Sequence, residues 1–302
     1  MAGFASSRIL VSGASGLIGA ALLSSLQTSG FQVVRLVRGP TSGADQVRWD
    51  PAKPLGPELI SGFDSVIHLA GESVVGRWTD SKKNKIRESR ILGTRNLAAS
   101  LAKAKDRPRI LITASAIGYY GDRADTVLRE GSGAGSGFLA EVCREWETAS
   151  GAAADAGIRT VQLRIGVVLS SAGGALQKML PAFRMGVGGR IGSGRQWMSW
   201  IHVQDLVGAV HHILKSDLLQ GPVNLVAPQP VPNAEFTKTL AAALSRPAVF
   251  PVPEFVVKLA FGQMGEEVLL ASQRVEPSRL ISGGYPFHYS DLRKALDAVL
   301  HR

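Results

Sequence analysis

Arg8-Ile9-Leu10-Val11-Ser12-Gly13-Ala14-Ser15-Gly16-Leu17-Ile18-Gly19 is an apolar run that enters a glycine-spaced turn and leaves it as a helix, with Ile18, Ala21, Leu22 and Leu26 recurring on one face. Gly13 suits the tight turn, Gly16 the close approach of backbone to a diphosphate, and Gly19 the packing of helix on strand. The first N–H groups of such a helix lack intrahelical acceptors and lie at its positive end. The turn therefore reads as a phosphate cradle formed by Gly13, Ser15, Gly16, Leu17 and Ile18. The strand before it and the helix after it supply the context this glycine pattern requires.

A second apolar run, Val33-Val34-Arg35-Leu36-Val37, ends at Arg38, nineteen residues beyond Gly19. In a dinucleotide-binding fold this position reads the adenosine ribose. An acid there accepts from a free 2′-hydroxyl, whereas the guanidinium of Arg38 grips a 2′-phosphate through charge-assisted bonds. The pattern points to NADP rather than NAD. The plain alternative for Arg38 is a solvated side chain at a strand end.

The 302 residues suffice for one large α/β unit and a smaller lobe. Hydrophobic residues form 45% and charged residues 19%, a globular balance, and no apolar run reaches the roughly eighteen residues of a membrane span. Residues 1–7 lack a basic then apolar leader pattern, and the single cysteine, Cys143, fits a reducing compartment, so a cytoplasmic location is expected. The histidines form no ligand-spaced cluster, which argues against a metal site, and His211-His212 reads as a surface pair on a helix. A formal charge of +10 raises the question of nucleic acid. Its densest patch, Arg77 to Arg95, lacks interleaved aromatic residues, so it reads as a solvated helix or as attraction for an anionic small molecule. Oligomeric state is not legible in the sequence.

Strand-like runs at Arg8–Ser12, Gln32–Val37, Ser65–Leu69, Arg109–Ala114 and Arg159–Ile165 alternate with helical patterns, notably Thr79–Lys105 and Phe138–Ala156. Runs apolar nearly throughout belong to a sheet covered on both faces, so the expected fold is α/β, a doubly wound parallel sheet of the Rossmann type with a smaller C-terminal α/β lobe. Glycine and proline punctuate the chain more densely after Ile165, with helical patterns at Ala175–Phe183, Asn233–Leu244 and Glu254–Phe261. The expected division is 1–165 with 201–226 for the dinucleotide unit, and 166–200 with 227–302 for the substrate lobe.

Several motifs together make the chain resemble the short-chain dehydrogenase/reductase superfamily, in its extended, sugar-nucleotide-epimerase-like branch. They are Gly13–Gly19, His68-Leu69-Ala70-Gly71, Ser115 after Leu111-Ile112-Thr113-Ala114, Leu163–Leu169, and Gly192–Asp205. Trp49-Asp50-Pro51, Ala70-Gly71-Glu72, Gly118-Tyr119-Tyr120-Gly121, Phe138–Cys143 and Gln273–Leu280 are similar to an atypical group described as cell-division-inhibitor-like. The resemblance implies that Leu69, Ala70 and Gly71 pass the cofactor ribose and nicotinamide. It also implies that Asp50 accepts from the adenine amino group beside Trp49, and that Thr113 and Arg164 lie at the cofactor. A plain Asp50-Pro51 turn is the competing reading for Asp50.

Members of the superfamily use a tyrosine four residues before a lysine, the cation lowering the phenol pKa. No tyrosine here has that lysine, and the expected positions hold Phe138 and Val142. Three readings stay open. Ser115 and Tyr119 (or its neighbour Tyr120) carry a rearranged catalysis, helped by Arg123 or Arg164. The chain is a cofactor-binding sensor with little turnover. Or Glu141, Glu145 or Cys143 acts on a substrate that needs no tyrosine, although the two glutamates also read as a solvated helix stripe and the thiol as buried structure. Arg190 and Arg195, in a glycine-rich loop, suit an anionic or sugar-nucleotide-like small molecule. His202 and Asp205 read best as helix caps, and Trp197 and Trp200 as either pocket or core.

Overall fold

A computed structural model describes residues 7–300, so the leader reading of residues 1–7 lies almost wholly outside the described residues. β1 (Arg8–Ser12), β2 (Gln32–Val37), β3 (Gln46–Arg48), β4 (Ser65–His68), β5 (Ile110–Ala116), β6 (Arg159–Ile165) and β7 (Gly221–Leu225) form one parallel sheet in the order β7-β6-β5-β4-β1-β2-β3. Alternation along β1 shows why it is covered on both faces: Ile9 and Val11 enter one core, Leu10 the other. α1 (Leu17–Thr28) closes the first face through Leu22 and Leu26, while α2 (Asp80–Lys103) closes the second through Leu97, Ala98 and Leu101. α2 starts where Thr79 accepts from the Lys82 N–H at 3.2 Å, with Asp80 at its positive end and Lys103 at its negative end.

α3 (Phe138–Thr148) follows the glycine-rich loop, α4 (Gly174–Arg184) follows β6, and α5 (Val203–Lys215) packs Leu206, Val210 and Ile213 beside α1. α6 (Asn233–Ala243), α7 (Glu254–Phe261) and α8 (Leu292–Leu300) complete the main helices. A further core joins Leu176, Leu180 and Phe183 of α4 to Trp200, to Phe236 and Leu240 of α6, and to Leu292 and Leu296 of α8. Short ladders tie distant segments together: Val127–Leu128 with Arg274–Val275, Val167–Leu169 with Trp200–His202, and Trp197–Met198 with Val231–Pro232.

The architecture is the doubly wound parallel sheet expected from the strand pattern. Two elements differ from the expectation. The helical stretch to Ala156 breaks at Ala149-Ser150, where the Ser150 hydroxyl donates to the Glu147 carbonyl at 2.7 Å, and restarts as Gly151–Asp155. β3 has three residues, none fully buried, so hydrophobic periodicity carries no signal for it. Among the described residues no helix is long and apolar enough to cross a membrane.

Candidate dinucleotide cleft

From β1 the sheet grows toward β2 and β3 on one side and toward β4 on the other. In an open parallel sheet this reversal leaves a crevice beyond the strand ends. A cleft of about 510 Å³ occupies that place. Its walls are Gly13, Ala14, Ser15 and Gly16 of the turn, the end of β2 from Arg35 through Arg38, and Leu69, Ala70, Gly71 and Glu72 after β4. Gly13 has φ +72°, and a Cβ there would lie 2.7 Å from the Leu69 carbonyl carbon, so only glycine lets the two loops meet. A Cβ on Gly19 would come within 2.1 Å of the Gly13 oxygen. α1 begins at Gly16 with no side-chain cap, which leaves its first N–H groups to an external anion. Lys82 donates to Glu72 at 2.7 Å and, with Lys85 and Arg38 farther off, holds that carboxyl below its ordinary range. The one acid among the cleft walls is thus already paired. Glycine cradle, uncapped helix and exposed Arg38 fit a phosphorylated dinucleotide in shape and charge.

The other residues proposed from sequence are distributed more widely. Leu17 packs toward the Gly173-Gly174 turn and Ile18 joins the core beneath α1, so each offers the cleft no side chain. Asp50 forms the turn: its carboxylate accepts from the Ala52 N–H at 3.0 Å, while its neighbours Trp49 and Pro51 line the cleft. Thr113 is buried in β5, its hydroxyl without a partner among the described residues. Arg164, implied at the cofactor by the resemblance, lies in a buried network. It donates to both Glu147 oxygens at 2.8 Å and to the Tyr120 hydroxyl at 2.9 Å. Ser115 is also buried and donates to Glu147 at 2.7 Å. The Tyr119 ring lies 3.5 Å from the Arg164 guanidinium, the cation–phenol pairing that a rearranged catalysis requires, although Glu147 neutralises that cation.

Phe138, where the resemblance leads one to expect the tyrosine, packs edge-on to Trp78 at 5.1 Å, and Val142 is buried beside it. The helix start is capped from far along the chain: Glu267 accepts from the Phe138 and Leu139 N–H groups at 3.0 and 2.8 Å. Glu141 and Glu145 form ion pairs with Arg87, and burial pushes the Cys143 thiol up to about 12, which leaves it unreactive at neutral pH. The Arg77–Arg95 run is therefore only partly solvated. Arg190 and Arg195 line no part of the dinucleotide cleft. His202 caps α5, accepting from the Gln204 N–H at 3.1 Å. Asp205 does not act as a cap. Buried, it accepts from the Tyr285 hydroxyl and from the His288 and Tyr289 N–H groups, tying the C-terminal segment to α5. Trp200 is core, and Trp197 donates to Asp125. His211 and His212 are half-buried and bonded to Ser25 and Gly283 rather than forming a free surface pair. Sequence reasoning missed Arg35, Glu147 and Glu267. Arg35, a lone charge inside an apolar strand, carried a legible signal, whereas the two glutamates sit on mixed polar stretches and carried none.

Sheet, switch-point cleft and glycine cradle define a Rossmann-type dinucleotide-binding protein of the extended kind. Residues 9–225 match the NAD dependent epimerase/dehydratase family, and residues 252–299 match a domain of unknown function, DUF1731. The chain belongs to that epimerase/dehydratase family. It is 42% identical over 290 residues to epimerase family protein Mb2239 of Mycobacterium bovis, covering 95% of this chain and 96% of the relative. The crystal structure of human epimerase family protein SDR39U1 with NADPH superposes with a TM-score of 0.90 at 35% identity, covering 98% and 99% of the two chains. A nucleoside-diphosphate sugar epimerase from Corynebacterium glutamicum gives a TM-score of 0.81 at 38% identity, covering 97% of this chain and 58% of that one.

Proposed function

We propose that this chain binds NADP(H) in the switch-point cleft and performs nicotinamide-linked oxidoreductase or epimerase-like chemistry on a small anionic or sugar-nucleotide-like molecule. The carrying observation is that Arg38 and the uncapped glycine turn line one cleft. The likeness to human SDR39U1, crystallised with NADPH, supports the same reading. In it, the N–H groups at the start of α1 hold the diphosphate, Arg38 holds the 2′-phosphate, and Leu69, Ala70 and Gly71 let the ribose pass close to backbone. Bound NADP(H) supplies the hydride acceptor or donor. Tyr119, beside Arg164, is the candidate to hold the substrate proton, with Ser115 acting through Glu147 to keep that arginine in place. Calorimetric titration tests the cofactor: Arg38→Asp should weaken NADPH binding at least about tenfold and NADH binding little, and equal losses end the assignment. NADPH oxidation with a carbonyl panel tests the chemistry, since turnover abolished by Tyr119→Phe supports the proton role.

A second reading, a cofactor-sensing protein with little turnover, is favoured by one feature. The tyrosine and lysine positions hold Phe138 and Val142, both packed into an apolar cluster with Trp78 and Met264. NADPH binding without turnover across the panel would select it.

A further inference from the structure

The cleft carries a second guanidinium. Arg35 and Arg38 both line it, one from within β2 and one just beyond its end. Val33 joins the core beneath α1 and Leu36 the core beneath α2, so alternation places Arg35 on the α1 face. There it sits across from Val11, two residues before Gly13, and so beside the turn that begins the phosphate cradle.

The hydrogen bonds of Arg35 are incomplete. Its Nη2 donates to Asp45 Oδ2 at 2.5 Å, a single contact rather than a two-pronged one. Its Nε is buried and has no acceptor among the described residues. Asp45 is held beside it because its carbonyl accepts from the Arg35 N–H at 2.8 Å, yet its carboxylate remains 45% exposed. A buried guanidinium N–H without an acceptor is costly, and one carboxylate oxygen uses only part of the planar donor fork. A phosphate monoester offers three acceptor oxygens and nearly two negative charges, enough to engage the remaining donors. The acid on the other wall, Glu72, is taken by Lys82.

We propose that Arg35 is a second specificity-determining residue for the 2′-phosphate, exchanging the Asp45 carboxylate for that phosphate, so that Asp45 sets how strongly the protein prefers the phosphorylated dinucleotide. The inference rests on the cofactor reading above. The exchange moves no covalent bond: one carboxylate contact opens, the guanidinium turns toward the cleft so that Nε is uncovered, and phosphate contacts to Nη2 and Nε form. Asp45 then faces solvent, where it is half exposed already.

The test is calorimetric titration of the full chain with NADPH, NADH, 2′,5′-ADP and 5′-ADP. Arg35→Ala should weaken NADPH and 2′,5′-ADP at least about tenfold, about 1.4 kcal/mol, and the two unphosphorylated ligands less than about twofold. Asp45→Asn, which removes the competing charge, should tighten NADPH about threefold or more and leave NADH unchanged. Equal losses for all four ligands in Arg35→Ala would show a merely structural arginine and overturn the proposal. An unaltered NADPH-to-NADH ratio in Asp45→Asn would overturn it too, and that variant carries the test if Arg35→Ala does not fold. Wild-type protein with no preference for NADPH would remove the cofactor reading itself. A preference abolished by Arg38→Asp but untouched in both Arg35→Ala and Asp45→Asn would remove this inference alone.

Discussion

The Arg164 guanidinium meets Glu147 through two parallel bonds of 2.8 Å, and the arginine is 3% exposed. Each charge is stable in the interior only because the other is present, and the Tyr120 hydroxyl, which donates to Asn224 Oδ1 at 2.8 Å, takes a third arginine donor. Glu147→Ala should therefore cost about 3–5 kcal/mol of unfolding free energy in a urea titration. The double replacement Glu147→Leu with Arg164→Met should recover most of that loss. A single variant as stable as wild type would mean that the pair is not mutually dependent. Sequence singles out Arg164 only through the resemblance, which implies it at the cofactor. It cannot identify the partner, which lies seventeen positions away on a helix and faces the same side of the sheet only after folding.

Helices α1 and α3 both start at a glycine with no side-chain cap, and they differ in what completes them. α1 opens onto the cleft, whereas α3 receives the Glu267 carboxylate, itself held by Gln263 at 2.7 Å. Glu267→Ala should lower stability by about 1–2 kcal/mol and speed hydrogen exchange at the Phe138 and Leu139 amides. Unchanged exchange there would show that the cap contributes nothing. At this scale the sequence was most readable. β1, β2 and β6 fall where periodicity and glycine placement put them, because both faces of the sheet are apolar, and α7 falls within its expected bounds although it buries only Val257. The break at Ser150 and the short edge strand β3 are set by tertiary contacts, and no local pattern announces them.

Across the whole molecule, the sheet buries a titratable ring, His68, at the end of β4. The ring is fully buried, 2.5 Å from the Ser12 hydroxyl and edge-on to Trp49, and burial pulls its pKa from 6.5 down to about 4. The folded protein keeps the ring neutral, whereas the unfolded chain protonates it near 6.5. Its contribution is therefore complete above about pH 6.5 and is lost as pH falls toward about 4, by about 3 kcal/mol in full. The stability difference between wild type and His68→Gln, measured by urea unfolding, should shrink steadily across that window. A difference independent of pH would contradict a buried neutral ring. The sequence alone determined the alternating strand and helix order, the glycine cradle and the arginine at the end of β2, since these follow from local periodicity and from backbone conformations few residues tolerate. Only the tertiary structure decided which polar side chains became partners. It joined Arg164 to Glu147, Asp205 to the C-terminal segment, Glu267 to α3 and Arg35 to Asp45, because a buried charge is matched by whatever group the packed elements bring within reach, at any distance along the chain.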